Sequence, residues 1–367
     1  MSAKSREEFE RVAGALASSL ISLLGESARM AMDVLPTSTW RAIRLTRAAG
    51  LLSGYNATMA GMASQLIESQ ADLLETWRRR NYAHPRSTMG WTPWRETPTM
   101  PQLVAASTEQ LTQALNIVRT GDVYLRLRDT TYVTYDYALD KLCGEAHAMV
   151  SEGFSYAQAI RHVTDEMATV GGVRIRAGNR EYDLYGYVRN RVYNDWARFN
   201  QAMRYRDGQR MGMDGVEVTA HWDCAPDHQP YQGRVYPLAQ FEAIQASLER
   251  PIAEGYNCRH MVFPCWADST QPYSEEQLQE YADQANAIVD VGGSEMTRYE
   301  ATQWQRGQER RVRGWKTKAQ MCDAVGDEQR AAECRREARS IQRELKRTCE
   351  EVGLTYDYRR MTVGKLA

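Results

Sequence analysis

The chain has 367 residues, enough for two or three domains with ample buried core. Its 46 basic and 47 acidic residues balance, which excludes a global charge drive toward nucleic acid or membrane. Twenty tyrosines and nine tryptophans against five phenylalanines favour half-buried, amphipathic contacts of the kind proteins use to dock on one another.

Seven cysteines form an odd count, and "MSAKSREEFE" lacks the basic-then-apolar pattern of a secretory leader. Reduced cytoplasmic thiols are expected rather than a disulfide framework. Residues 5–34 read as an amphipathic helix, with Phe9, Val12, Leu16, Leu20 and Leu23 at helical spacing. Pro36 ends it, and "TSTW" supplies caps for a second helix to about Arg80. Tyr55, Met59, Met62, Leu66 and Trp77 mark its buried stripe.

Twenty uncharged residues from Ala48 to Ile67 raise the question of a membrane span, with Gly50 and Gly54 at GxxxG spacing. Ser53, Asn56, Thr58, Ser64 and Gln65 are costly in hydrocarbon, so close helix packing is expected and a stable span is not. These helices make up an N-terminal helical region, 1–83. Then "HPRSTMGWTPWRETPTMP" carries four prolines with Trp91 and Trp94, and 84–106 reads as an arm or linker. A tryptophan-bearing arm is expected to lie on another surface.

Helical patterns return over 107–170, and "GGVRIRAGNREYDL", 171–184, reads as a hairpin. A helix over 185–207 follows, placing Val188, Val192, Trp196, Phe199 and Met203 on one face. Arg189, Arg191, Arg198, Arg204 and Arg206 fall outside that stripe, as a solvated basic face would. A helical domain, 107–213, thus precedes a small α+β unit, 214–272.

In that unit "VEVTAHWD", 216–223, alternates as a half-buried strand, which places His221 and Asp223 on its polar face. "RVYPL" reads as a partner strand, "LAQFEAIQASLERP" as a short helix and "NCRHMVFPCW" as a third strand carrying Cys258 and His260 on one face. Ser274 and Gln277 form a capping box for a helix to about Val289. Two long polar helices, Met296 to about Val352, break near Ala324–Gly326 within a C-terminal helical region, 273–367. Between Gln305 and Arg347, 13 basic residues face 7 acidic ones, a surplus of 6. Arg310, Arg311, Arg313, Lys316 and Lys318 are the candidate phosphate contacts there, against the plainer alternative of a solvated helix face. The fold class expected is α+β, predominantly α-helical, with long helices flanking a small mixed unit built on a short antiparallel sheet.

The densest chemistry lies in "HWDCAPDHQPYQGRVY", 221–236, and "NCRH", 257–260. His221, Cys224, His228, Cys258 and His260 are N and S donors of the kind structural zinc takes, though neither a CxxC pair nor a helical HxxxH is present. The alternative is a hydrogen-bonded network in which Asp227, His228, Asn257 and Arg259 satisfy loop backbone groups. A third option is hydrolysis, by a metal on Asp223, Asp227, His221 and His228 or by Cys258 or Cys224 beside a histidine. No Walker-type loop, GxSxG elbow or GxGxxG fingerprint accompanies these residues.

The succession of "GVEVTAHWDCAPDHQPYQGRVY", a short helix, "GYNCRHMVFPCW" and the polar helix "YEATQWQRGQERRVRGWKTKAQ" resembles the type 2 minor capsid proteins of tailed phages. These are related to the portal-associated head-morphogenesis proteins. The specific motifs lie in 214–266 and the looser likeness runs over about 130–350, leaving residues 1–101 without a counterpart. Carried over, the family motif falls on His221, Pro226, Asp227, His228, Gln232, Gly233, Asn257, Cys258, Arg259 and His260. The resemblance implies a non-enzymatic virion component on the capsid interior at the portal vertex, in the host cytoplasm during assembly. Its implied partners are the portal protein, the major capsid protein or scaffold, and packaged double-stranded DNA. Its implied roles are head assembly and DNA packaging or ejection.

Overall fold

A computed structural model describes residues 38–115, 123–126, 132–134, 173–177, 180–253, 258–324 and 327–363, with scattered positions between 137 and 162. The helix expected over 5–34, and Asn257 of the motif, lie outside the described residues. The architecture is predominantly α-helical α+β. In order it runs α1 (Ser38–Tyr82), α2 (Met100–Leu115), β1 (Val123–Arg126), β2 (Tyr132–Thr134), β3 (Val173–Ala177), β4 (Arg180–Asp183) and α3 (Leu184–Arg210). It continues β5 (Gly215–Val218), β6 (Val235–Pro237), α4 (Leu238–Ser247), β7 (Val262–Cys265), α5 (Glu275–Asn286), β8 (Ile288–Asp290), β9 (Glu295–Thr297), α6 (Arg298–Ala324) and α7 (Glu328–Glu351).

The chain divides into two compact units. The first gathers Met62–Leu111 and Asn190–Trp304; the second gathers the described parts of Glu10–Gly61, Thr112–Arg189 and Gln305–Ala367. No helix among the described residues is long and apolar enough to cross a membrane.

The first unit carries the dense motif. The expected strand over 216–223 is shorter: β5 stops at Val218, so His221 and Asp223 stand in a loop and not on a strand face. Just past its end, Thr219 still donates its N–H to the Met261 carbonyl at 3.0 Å, while the Met261 N–H goes to the Thr219 hydroxyl at 2.9 Å. The third strand likewise begins only at Val262, so Cys258 and His260 precede it. β5 is central, antiparallel to β6 and β7, with Val216 opposite Tyr236 and Pro264, and Val218 opposite Val262. The expected alternation holds within it: Val216 and Val218 are buried with Tyr236, Phe241, Ile252 and Val262. Burial contributes about 1.5–3 kcal/mol for each such large side chain.

The arm does lie on a surface, that of α1. α2 begins at Met100, inside the stretch read as linker. Trp94 is buried, its indole Nε1–H donating to Asp72 at 2.8 Å while its backbone N–H donates to Glu75 at 2.9 Å. Trp91 Nε1–H donates to Glu75 at 3.0 Å. Farther along, a buried cluster joins α1 to α3: Arg78 Nε donates to Asp207 at 2.7 Å, and the Tyr82 hydroxyl donates to the other Asp207 oxygen at 2.7 Å. Burial, and then the Asp207 carboxylate, push the Tyr82 phenol up to about 12. The capping box at Ser274 and Gln277 is present, but α5 ends at Asn286 and residues to Val289 enter an unforeseen β8–β9 hairpin.

In the second unit the 171–184 hairpin forms as β3 and β4, within a four-stranded antiparallel sheet ordered β2-β1-β3-β4. β1 and β2 fall in the span read as helical. α7 buries Ala331, Cys334, Ala338, Ile341, Leu345 and Cys349 along one stripe. The break before it is capped by Asp327, whose side chain accepts from the Arg330 N–H.

Candidate functional site

Three short segments assemble the site around β5: the loop 219–224, the turn 225–233 and the segment 258–261 that enters β7. His228 N–H donates to the Ala225 carbonyl at 2.9 Å, so Pro226 and Asp227 occupy the centre of a tight turn. That turn drives His228 inward to 3% exposure while Pro226 stays outside. Gly233 closes the return with φ 71°, its N–H donating to the Val218 carbonyl at 2.9 Å. A left-handed backbone at that point favours glycine. A Cβ there would stand 2.4 Å from Leu278 Cδ2.

Inside these segments the polar groups are paired in a definite order. His228 Nε2 lies 2.7 Å from the Arg250 carbonyl, which can only accept, so Nε2 carries the proton. Arg250 also grips Asp227 through both carboxylate oxygens, at 2.5 and 3.1 Å. Burial raises the Asp227 pKa, but the Arg250 hydrogen bond, the His228 ring and the Arg250 charge together hold the carboxyl below its ordinary range. Gln232, 3% exposed, accepts the His221 backbone N–H on Oε1 at 3.0 Å, and the same oxygen lies 3.3 Å from His260 Nε2. His221 Nδ1 lies 2.8 Å from Asp223, whose second oxygen pairs with Arg259.

Two cysteines flank the buried His260 ring. Cys258 Sγ lies 3.3 Å from Nδ1 and Cys224 Sγ lies 3.4 Å from Nε2. Burial, and then His221 and His228, pull His260 down to about 3, so the ring is neutral near pH 7. Burial pushes both thiols upward. Nucleophilic cysteines carry the opposite shift.

Of the five candidate donors, His228, Cys258 and His260 come together, with ligand atoms within 4.8 Å of one another. His221 stacks on His260 with ring centroids 4.5 Å apart and meets Asp223 through Nδ1; its buried Nε2 has no hydrogen-bond partner among the described residues but falls outside that group of donors. Sequence reasoning misses Arg250 and Ala253. Ala253 donates its N–H to Cys258 Sγ at 3.3 Å and, among the described residues, is the one non-glycine with positive φ, 64°. No local pattern marks either position.

The basic candidates on α6 divide. Arg310 and Arg311 are exposed. Arg313 donates to the Arg360 carbonyl and Lys316 to the Met361 carbonyl, at 2.8 and 2.9 Å, and Lys318 is buried. On α7, by contrast, Arg336, Arg339 and Arg343 are exposed at helical spacing, with no ion-pair partner among the described residues.

Compared with known protein families, the chain aligns with phage minor capsid protein 2 over residues 66–349. The chain belongs to this family. A minor capsid protein has a structural role in the phage head, and that is the role membership gives here. The alignment begins at residue 66, so the tryptophan arm and the last 17 residues of α1 lie within the minor capsid protein family's span. That corrects the expectation that residues 1–101 stand wholly outside it. No curated protein and no solved structure matches the chain.

Proposed function

We propose that this minor capsid protein works at the portal vertex on the capsid interior. There it docks on the portal protein and the major capsid protein or scaffold, and contacts packaged double-stranded DNA in head assembly and DNA packaging or ejection. Family membership supports the location. The observation that carries the DNA contact is the α7 stripe of Arg336, Arg339 and Arg343, exposed along one face of a helix whose other face is buried. Arginines placed this way neutralise phosphates without reading bases, as a protein on packaged DNA of any sequence must.

The test is duplex binding by the full chain across a salt series. Each phosphate contact contributes about 0.9 to the slope of log K against log salt, so an Arg336→Gln/Arg339→Gln/Arg343→Gln variant should lower it by about 2.7. An unchanged slope refutes the DNA contact. Co-expression with the portal protein of the same phage should yield a complex that co-purifies; its absence refutes the docking.

A further inference from the structure

We propose that His228, Cys258 and His260 bind a zinc ion. Tautomers decide which ring nitrogens are free to do so. The Arg250 carbonyl fixes the proton of His228 on Nε2, which leaves a lone pair on Nδ1. The amide of Gln232 is oriented by the His221 N–H, so its Oε1 is an acceptor and fixes the proton of His260 on Nε2 as well. Both Nδ1 lone pairs therefore face the same sulfur, Cys258 Sγ, at 3.5 and 3.3 Å.

A thiol has one proton and can serve only one of them. A divalent cation between the three atoms satisfies both lone pairs and the sulfur together. The two nitrogen–sulfur separations match the edge of a tetrahedron with Zn–N about 2.0–2.1 Å and Zn–S about 2.3 Å, which is close to 3.5 Å. The remaining edge, between the two histidines, falls within 4.8 Å.

A backbone N–H is aimed at this sulfur. Ala253 holds a left-handed backbone that glycine would adopt more easily, and that backbone aims its N–H at Cys258 Sγ. Cys224 is engaged elsewhere, since its S–H donates to the Ala225 carbonyl at 3.2 Å, on the Nε2 side of His260. It is not a donor in this arrangement, and neither is His221. On binding, the Cys258 thiol loses its proton to solvent as the sulfur–zinc bond forms, and both imidazoles enter as neutral ligands. One tetrahedral position is left for water. The ion would tie the 225–233 turn to the segment entering β7, a fastening on both flanks of the central strand β5.

The test is metal content of the full chain purified without chelator, with Cys258→Ala and Cys224→Ala variants alongside. One zinc per chain is expected in the wild type and in Cys224→Ala, with near-complete loss in Cys258→Ala. Replacing zinc by Co²⁺ in the wild type should give a tetrahedral visible spectrum with one thiolate charge-transfer band, a readout that does not depend on a variant folding. A metal-free wild type that also takes up no Co²⁺ overturns the site. Zinc retained in Cys258→Ala, or lost from a folded Cys224→Ala, overturns the donor assignment.

Discussion

Gly233→Ala tests whether the glycine at this position answers a steric demand as well as a conformational one. Gly233 sits at φ 71°, where an L-residue is penalised by about 1–2 kcal/mol. The new methyl would also meet Leu278 Cδ2 at 2.4 Å, Ala220 Cβ at 3.2 Å and Tyr273 Cδ2 at 3.2 Å. Leu278 can rotate away, but the other two contacts still crowd the methyl, and overpacking of this kind costs about 1–3 kcal/mol. The sum is about 2–5 kcal/mol. Gly292 is the control, since it has φ 62° and nothing within 4 Å of its added Cβ. Gly292→Ala should therefore show the conformational cost alone. Urea unfolding followed by tryptophan fluorescence gives both values, and Gly233→Ala should exceed the control by at least about 1 kcal/mol. Equal losses within about 0.5 kcal/mol would refute the crowding.

Two further outcomes follow from buried charge. Asp207→Ala leaves the buried Arg78 guanidinium with Glu75 alone and the Tyr82 hydroxyl without its acceptor, and should cost about 1–3 kcal/mol in calorimetric unfolding, whereas a loss under about 0.5 kcal/mol contradicts the pairing. Burial raises the Glu217 carboxyl above its ordinary 4.5, so the folded state binds more protons than the unfolded chain between those two values. Stability from this group is thus greatest below 4.5 and falls as pH rises through the raised value. Glu217→Gln should be more stable than wild type at neutral pH, with the gap closing in acid; a pH-independent difference in melting temperature would contradict this.

Features set by neighbours in sequence are legible without the structure. The Ser274–Gln277 box, the 171–184 hairpin, the extent of α3 and the break between α6 and α7 all depend on side chains a few residues apart. β1 escapes such reading although "VYLR" alternates apolar and polar, because the flanking helical patterns absorb it. The motif's interior is legible in composition but not in arrangement. Past the end of β5 at Val218, Thr219 bonds Met261, 42 residues away, and His260 takes its tautomer from Gln232, 28 residues away. The turned-in basic residues of α6 depend on carbonyls at 360 and 361 that no helical period announces.

The tryptophan arm has a consequence for the order of assembly. Its bonds to Asp72 and Glu75 span only 16, 19 and 22 residues, while the Arg78–Asp207 pair spans 129. By loop-closure entropy the longer link costs about 1.6 kcal/mol more to bring together than the longest of the arm's. The arm and α1 can thus close as a local hairpin while residues 190–304 are still being synthesised. Pulse-labelled hydrogen exchange should find the Trp94 amide protected before that of Val218, and the reverse order would sink the idea. A nascent chain would then present Arg78 and Tyr82 on a finished template, waiting for Asp207 to arrive.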